Sequence, residues 1–334
     1  MRILILSPRQ DRATGNYVTA RRFQRGLEGF GAVVRLAEVP PEPAAVSAEV
    51  AAFAPDLAIL LHAYRTGRPW LEAGAKPPFL VLLTGTDVHQ GLDDPEQRPW
   101  ILRVFREAAV VASQNPLTCA ALRRDYPQLG TRLRYLPPGI ELGTAPYALR
   151  KLHGIPPETF LFFCPASLRP VKGVLELLEL FDPLARARRD FIVAFCGPEL
   201  DADYARRFHA ALNARPWARH LGIIPAEAMP AAMAEADVIL NNSVAEGLPN
   251  ALLEATVSGR PILARDIPGN AAVVRPGVNG LLYGDGAEFP ACASRLLDDG
   301  ALRAVLSRAE RQAYRPEREA AELRRLCEGM LGEA

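Results

Sequence analysis

Two glutamates in one short stretch have the residue type and spacing to bind hydroxyl groups. Glu246 and Glu254 lie eight positions apart, in the segment NNSVAEGLPNALLEATVSGRPILA. The apolar run 236–240 before them predicts a buried strand, so Glu246 falls in the loop that follows this strand. Pro249 suits the first position of a helix, because that position needs no N–H group, and residues 251–257 extend the helix past Glu254.

The start of this predicted helix favours an anion. The first backbone N–H groups of a helix lack intrahelical partners and carry partial positive charge, so a phosphate would fit near residues 248–251. An acid beside a phosphate is repulsive unless it serves another group, and sugar hydroxyls suit both glutamates. The alternative is that both acids are solvated. Glu254 nevertheless lies in the otherwise apolar helix ALLEATV, where a charge requires a partner or a ligand.

A lysine in the same half of the chain supplies a positive charge. Lys172, in the segment SLRPVKG, is predicted to open a helix near the place where the phosphate would lie. A lysine on the solvated surface is the alternative for Lys172. Asp201 and Asp203 form a DxD pair, but Asp201 begins a predicted helix, so an N-cap is favoured over a metal ligand.

The elements that must position these residues alternate between strand and helix. Short apolar runs predict strands at 2–7, 33–36, 57–61, 79–83, 109–112, 133–136, 159–164, 191–196, 219–223, 236–240, 261–264 and 280–283. Helical patterns run from the first turn through Leu27 and at 44–53, 96–107, 116–125, 172–187, 201–213, 226–235, 249–258, 287–298 and 300–331. This alternation indicates the α/β class with parallel sheets, in which ligands bind beyond the carboxyl ends of the strands.

Polar residues follow neighbouring strands in the first half of the chain. His62 follows the strand at 57–61 in the segment LHAYRTGR, and His89 follows the strand at 79–83 in LTGTDVH. A single histidine after a strand is more often structural. Two such clusters at adjacent strand ends predict the wall of a binding site.

A glycine-containing turn follows the first strand. Gly15 and Asn16 precede a helical pattern, a layout that suits a phosphate, although a plain tight turn explains the same residues. The dinucleotide fingerprint GxGxxG is absent there, which disfavours a nicotinamide-dependent dehydrogenase.

Composition excludes several classes of protein. The 334 residues favour two domains, and the 39 basic and 38 acidic residues give no excess that would indicate nucleic-acid binding. Apolar runs are far shorter than the ~20 residues of a membrane helix, and no signal peptide is recognisable. The five cysteines are odd in number and lack metal-binding spacing, so we expect reduced thiols, no metal site and a cytoplasmic location.

The stretch around the two glutamates resembles the nucleotide-sugar site of the retaining, family 4 glycosyltransferases of the GT-B fold. That family places a Glu, seven residues, a Glu and an Ala before a Gly-x-Pro strand, which appear here as EGLPNALLEA and SGRPILA. DIPGNAAVV and GVNGLLY also match. TGNYVTARR, LTGTDV and LRPVKG look like the glycosyltransferase 1 domain-containing protein 1 group. The related selenosugar synthases share the TGN-x-x-TA and LTGTD patterns, but their second half agrees less well.

The resemblance implies a role for each candidate residue. Glu254 would hold the donor's ribose hydroxyls, and Glu246 would hold a hydroxyl of the donor sugar. Lys172 would neutralise the diphosphate. The arginine that the family usually has five residues before this lysine is replaced by Ser167, and Arg169 would supply the positive charge instead. Backbone at Ile224 would contact the base. The remaining donor-binding and catalytic candidates are Gly15, Asn16, Gly247, Leu248, Pro249, Asn250, His62 and His89.

The same resemblance implies two Rossmann-like domains that face a central cleft. We expect an acceptor-side domain over 1–145, a donor-binding domain over 146–312 and a C-terminal helix over 313–334 that returns to the first domain. The predicted activity is metal-independent, retaining transfer from a nucleotide diphosphate sugar, UDP-sugar favoured, to an unidentified acceptor, with no cofactor. A selenosugar or thiosugar synthase, a nucleotide-sugar epimerase and a binding protein without catalysis remain alternatives.

Overall fold

The chain divides into two compact units, each built around one parallel sheet. The computed structural model describes residues 1–9, 15–308 and 313–332. The first unit comprises Met1–Glu141 with Tyr314–Ala334, and the second comprises Leu142–Ala313. The C-terminal helix therefore belongs to the first unit. Within the described part of the chain, no helix is both long and apolar enough to cross a bilayer.

Twelve strands form the two sheets. They are β1 (Arg2–Pro8), β2 (Val33–Val39), β3 (Leu57–Leu61), β4 (Phe79–Leu83), β5 (Val110–Ser113), β6 (Leu133–Tyr135), β7 (Phe160–Pro165), β8 (Phe191–Cys196), β9 (Ala218–His220), β10 (Val238–Asn241), β11 (Ile262–Arg265) and β12 (Gly280–Tyr283). The first sheet has the order β2-β1-β3-β4-β5-β6 and the second β12-β11-β10-β7-β8-β9. All described strand pairs are parallel, so the carboxyl ends of neighbouring strands meet at one edge of each sheet.

Helices connect the strands. They are α1 (Gly15–Glu28), α2 (Pro43–Phe53), α3 (Gly67–Glu72), α4 (Thr86–His89), α5 (Gln97–Glu107), α6 (Pro116–Asp125), α7 (Leu149–Leu152), α8 (Val174–Ala187), α9 (Ala202–Asn213), α10 (Met229–Ala234), α11 (Asn250–Val257), α12 (Pro268–Ala271), α13 (Phe289–Asp298), α14 (Gly300–Leu306) and α15 (Pro316–Leu331). Short 3₁₀ turns occupy Pro127–Arg132, Pro170–Lys172 and Ala226–Ala228.

The strand predictions are confirmed, because apolar runs that are buried on both faces mark the strands of a parallel sheet. All five residues of β3, and all five of β4, are buried. The strand predicted at 219–223 is shorter than expected and ends at His220. Gly222 has a φ of +73°, which takes the chain out of the extended conformation before residue 223.

Several helix boundaries differ from the predictions. The stretch 300–331 contains two helices, α14 and α15, and residues 313–314 between them form a turn. Lys172 ends a 3₁₀ turn and does not open α8, because Gly173 has a φ of +59° and separates the turn from the helix. Pro249 is the N-cap residue of α11, whose first residue is Asn250. The short helices α3, α4, α7 and α12 were not predicted.

A buried ion pair joins α15 to the rest of the first unit. Arg22 on α1 and Glu319 on α15 are 4% and 1% exposed, and Arg22 donates to both carboxylate oxygens of Glu319, at 2.5 and 2.8 Å. Gln114 and the backbone N–H of Gly139 also donate to Glu319 Oε1. A fully buried carboxylate requires such partners. The second unit is held by an aromatic cluster that includes Phe162, Phe181, Phe191 and Phe289.

Candidate functional site

The second unit brings two of the predicted site residues into direct contact. Lys172 follows β7, and Glu246 lies in the loop after β10, as predicted. These strands are hydrogen-bonded neighbours, so their carboxyl ends are adjacent. The Lys172 ammonium donates to Glu246 Oε1. The two side chains are 18% and 12% exposed, so the attraction is screened less by water than that of a surface ion pair.

Backbone and amide contacts hold the two loops together. The N–H of Val244 donates to the carbonyl of Val171 at 2.9 Å, and the Asn242 amide donates to the carbonyl of Gly173 at 2.6 Å. The Tyr283 hydroxyl donates to Asn242 Oδ1 at 2.6 Å. A Cβ at position 173 would lie 2.5 Å from the Asn242 carbonyl oxygen, so glycine is required for this approach as well as for its φ. The Lys172–Glu246 pair is therefore preorganised.

Further donors surround the Glu246 carboxylate. The Ser243 hydroxyl donates to Oε1 at 2.6 Å. Burial by itself raises the pKa of Glu246. The positive charge of Lys172, together with the hydrogen bonds from Lys172 and Ser243 and the effect of the Asn241 side chain, outweighs burial and lowers that pKa below its ordinary value. Glu246 is consequently an ionised acceptor at neutral pH.

Three residues of this environment were not singled out from the sequence. Asn241 and Ser243 belong to the polar run NNS that directly follows an apolar strand, and this position was the available signal. Gly269, on α12, packs against Glu246 so closely that a Cβ there would lie 2.5 Å from both the Cβ and the carbonyl oxygen of Glu246. That contact depends on tertiary structure, so no local pattern reveals it.

The predicted donor-binding loop leads from Glu246 into α11. Gly247, Leu248 and Asn250 are half-buried, and Pro249 is buried. The N-cap residue Pro249 makes no side-chain hydrogen bond to the first turn of α11, which is the place where the backbone N–H groups of a helix lack intrahelical partners.

Glu254 lies within α11 and is half-buried. Burial raises the pKa of the Cys196 thiol at the end of β8, and the negative charges of Cys164 and Glu254 raise it further. The Glu254 carboxylate therefore lies close enough to the end of β8 to act on Cys196 electrostatically.

Three other predicted positions lie in the same unit. Arg169 is half-buried and immediately precedes the 3₁₀ turn that Lys172 ends. Ile224 is 5% exposed in the loop after β9, whereas its neighbour Ile223 is 63% exposed. The N-cap prediction for Asp201 is confirmed, because its carboxylate accepts from the N–H of Tyr204 at 2.9 Å.

His62 in the first unit is held in one orientation. It is 2% exposed and has a φ of +83°, which non-glycine residues seldom adopt. Nδ1 accepts from the backbone N–H groups of Tyr64 and Arg65, each at 3.2 Å, and Nε2 lies 3.2 Å from Thr86 Oγ1. The neutral ring then carries its proton on Nε2 and donates to Thr86. Burial lowers the pKa of His62, so this neutral form is favoured.

Asp87 organises the loop on which Thr86 lies. It is fully buried and accepts from the backbone N–H groups of Ala63, Thr84 and Gly85, at 2.9, 3.0 and 2.9 Å. Ala63 follows β3, and Thr84 and Gly85 follow β4. One carboxylate thus joins the carboxyl ends of two neighbouring strands.

The other candidates in this unit differ in their surroundings. His89 is the last residue of α4, and its buried Nε2 has no hydrogen-bond partner among the described residues. Burial lowers the pKa of His89. Gly15 and Asn16 are the first residues of α1, exposed and half-buried respectively, and Thr14 before them lies outside the described residues.

Solved structures define the class of fold. The sucrose-phosphate synthase of Thermosynechococcus elongatus matches 100% of both chains with a TM-score of 0.84 and 17% identity. The Anabaena protein HepE, in complex with UDP and glucose, matches 98% of this chain and 100% of its own, with a TM-score of 0.78 and 19% identity. The two parallel-sheet units therefore have the GT-B fold.

Sequence comparison then gives the family. Residues 148–313 match the family described as "Glycosyl transferases group 1". Residues 148–313 belong to that family, and the chain is a glycosyltransferase. A curated relative, the glycosyltransferase 1 domain-containing protein 1 of Xenopus tropicalis, is 26% identical over 310 residues, which cover 89% of this chain and 88% of the relative.

Proposed function

We propose that the protein transfers a sugar from a nucleoside diphosphate donor, with UDP-sugar favoured, to a separate acceptor. Transfer would retain the anomeric configuration and need no metal ion, as in family 4. The observation that carries this proposal is the partly buried Lys172–Glu246 pair beside the start of α11. It combines a cation for a phosphate with an acid for a sugar hydroxyl. The bound UDP and glucose of HepE support the choice of donor.

Lys172 neutralises the leaving diphosphate in this proposal. The backbone amides of 248–250 at the start of α11 add partial positive charge, and Arg169 supplies the guanidinium that the sequence lacks at Ser167. Positioned charge of this kind stabilises a transition state in which negative charge develops on the leaving group. The diphosphate would draw Lys172 away from Glu246.

The two glutamates divide the donor between them. Once Lys172 turns to the diphosphate, the Glu246 carboxylate accepts a hydrogen bond from a hydroxyl of the donor sugar. Glu254, one turn into α11, binds the ribose hydroxyls, and backbone at Ile224 contacts the base. In the first unit, Gly15 and Asn16 are candidates for binding phosphate, and the neutral imidazoles of His62 and His89 are candidates for hydrogen bonds to a hydroxyl group.

A ligand panel tests the donor assignment. UDP, GDP, ADP, their sugar conjugates and NAD are added separately, and the melting temperature is measured. A ligand at ~100 times its dissociation constant stabilises the folded state by roughly 2.7 kcal/mol, which gives a clear shift. We expect the shift with UDP and one or more UDP-sugars. A shift with NAD alone would contradict the proposal.

Variants of the charged residues test the geometry. Lys172→Ala should weaken binding of UDP in calorimetry and leave binding of uridine unchanged, because only UDP carries the diphosphate. Lys151→Ala, an exposed lysine on α7, is the matched control and should bind both ligands as the unaltered protein does. Equal losses for UDP and uridine in Lys172→Ala would remove Lys172 from the phosphate site.

Glu254→Ala tests the ribose assignment separately. This variant should lose affinity for UDP and uridine alike, because both contain the ribose. Unchanged affinity for both would exclude Glu254 from the nucleoside site. Products formed from UDP-sugar without any acceptor would instead favour an epimerase, and binding without turnover over a broad acceptor panel would favour a non-catalytic binding protein.

A further inference from the structure

We propose that Asn270 and Asn241 form a chain of amide groups that orients the Glu246 carboxylate, so both are positioning residues for the donor site. The proposal deepens the proposed function and rests on it for its catalytic meaning. Asn270 lies on α12, after β11, and Asn241 is the last residue of β10. The two strands are neighbours in the sheet, which brings α12 beside the loop that contains Glu246.

The amide of Asn270 can adopt one orientation only. Its Nδ2 donates to the carbonyl oxygen of Arg265 at 2.8 Å and lies 3.3 Å from Asn241 Oδ1. A carbonyl oxygen can only accept, so turning the amide over would place two oxygens against each other. The oxygen Oδ1 of Asn270 is buried and has no hydrogen-bond partner among the described residues. An apolar side chain of similar size would avoid that unsatisfied oxygen, so the contribution of asparagine here lies in its N–H groups.

Asn241 passes this orientation on to Glu246. Its Oδ1 accepts from the backbone N–H of Ser243 at 2.9 Å as well as from Asn270, and both of these groups are donors. Turning over the Asn241 amide would place its Nδ2 against the N–H groups of Ser243 and Asn270. Asn241 thereby holds Ser243 in place, and the hydroxyl of Ser243 donates to Glu246 Oε1 at 2.6 Å. The side chain of Asn241 also acts to lower the pKa of Glu246.

The amides of Asn270 and Asn241 complement Lys172, the charged partner of Glu246. Charged residues on the elements around this carboxylate are Arg169, Lys172, Arg265 and Asp266, and of these Lys172 forms the ion pair with Glu246. Lys172 also serves the diphosphate in the proposed function, so its hold on Glu246 weakens when the donor binds. The amide chain and Ser243 do not depend on the phosphate. They keep Glu246 oriented after Lys172 has turned to the donor.

Carbon-detected NMR of the glutamate carboxyl groups tests this inference without any donor. The Glu246 signal is assigned as the one missing from Glu246→Gln, and its titration is followed in the full chain. Asn270→Leu removes the donor of the chain at similar volume. Asn241→Asp keeps the accepting oxygen but places a second carboxylate beside Glu246. We expect the pKa of Glu246 to rise by about one pH unit in Asn270→Leu, and further in Asn241→Asp.

Asn279→Leu is the matched control. Asn279 is also a buried amide of the second unit, but it holds the turn before β12 through Arg275, Val273 and Thr256. It should lower the melting temperature without moving the Glu246 titration. An unchanged Glu246 titration in both folded Asn270→Leu and folded Asn241→Asp would overturn the inference, as would an equal shift in Asn279→Leu.

Donor binding separates this inference from the proposed function. If the Glu246 titration moves as expected and UDP-glucose never binds, the amide chain is correct and the donor assignment is wrong. If UDP-glucose binds, the acid limb of its binding or transfer profile should move by the same amount in Asn270→Leu. Binding with no such movement would contradict a positioning role.

Discussion

Each unit places a carboxylate at the carboxyl edge of its sheet, but the two carboxylates have different partners. Asp87 in the first unit accepts from three backbone N–H groups, on Ala63, Thr84 and Gly85. Glu246 in the second unit is held by side chains, namely Lys172 and Ser243. Backbone donors are fixed by the strands that carry them, whereas a lysine side chain can turn to another anion.

In the proposed function, this difference separates a structural carboxylate, Asp87, from one that binds the donor, Glu246. Exchanging a backbone donor of Asp87 for a ligand would require β3 and β4 to separate. Exchanging Lys172 for a sugar hydroxyl requires only that a phosphate attract the ammonium group. We therefore expect substitution of Asp87 to affect folding and substitution of Glu246 to affect turnover.

Asp87→Ala should have the largest effect on stability. It leaves three backbone N–H groups buried without an acceptor, and the expected loss is at least about 3 kcal/mol. Hydrogen exchange monitored by mass spectrometry should show faster exchange in β3 and β4 and unchanged exchange in the second unit. Protection of β3 and β4 equal to that of the unaltered protein would show that Asp87 does not join these strands.

Glu246→Gln should abolish most turnover while the fold persists. The amide keeps the shape of the side chain but removes the charge, so sugar transfer should fall by about 100-fold or more, roughly 2.7 kcal/mol of transition-state stabilisation. UDP affinity should remain, because Lys172 is released for the phosphate. Full transfer activity in this variant would break the contrast with Asp87.

The sequence predicted the sheets better than it predicted the contacts within the site. The apolar runs of β3, β4 and β8 predict their strands because burial on both faces demands a continuous hydrophobic segment. Glu246 and Lys172 were identified as candidates, yet their direct contact follows from the pairing of β7 with β10, which no local pattern encodes.

Other features depended on backbone conformation or on distant residues. Gly173 ends the 3₁₀ turn because its φ is positive and because Asn242 approaches it, so the start of α8 was misplaced at Lys172. Asn270 acts through Asn241, 29 positions earlier in the chain, and its importance appears only once β10 and β11 are neighbours.

Gly269→Ala should have an intermediate effect that sharpens the comparison within the second unit. The added Cβ would lie 2.5 Å from backbone and Cβ atoms of Glu246, so the loop must move, at an expected cost of about 1–3 kcal/mol. Transfer should fall more than UDP affinity, because Glu246 is displaced. Gly284→Ala is the control, since its nearest neighbour is the flexible end of Glu288, at 3.3 Å. Equal kinetics for both variants would mean that Gly269 does not position Glu246.

The smallest expected effect concerns pH, and it separates the two units by the range in which each titrates. Burial lowers the pKa of His62 from 6.5, with Asp87 acting in the opposite direction and Arg65 lowering it further. Below pH 6.5 the unfolded chain therefore binds a proton that folded His62 does not. As the pH decreases from 6.5, the free energy of unfolding decreases by at most about 1.4 kcal/mol per pH unit for this group. The pKa of Glu246 is lowered from 4.5, so the stability that this carboxylate contributes is complete above pH 4.5 and is lost only as pH falls through the folded value.

Two variants test this difference by urea denaturation at a series of pH values. His62→Asn should reduce the pH dependence of stability just below pH 6.5 without changing it below 4.5, and asparagine tolerates the positive φ of this position. Glu246→Gln should change the pH dependence of stability below 4.5 and leave it unchanged near 6.5. Because His89 also has a lowered pKa, the difference between the unaltered protein and each variant is the quantity to compare. Identical difference curves for the two variants would show that the two clusters do not titrate independently.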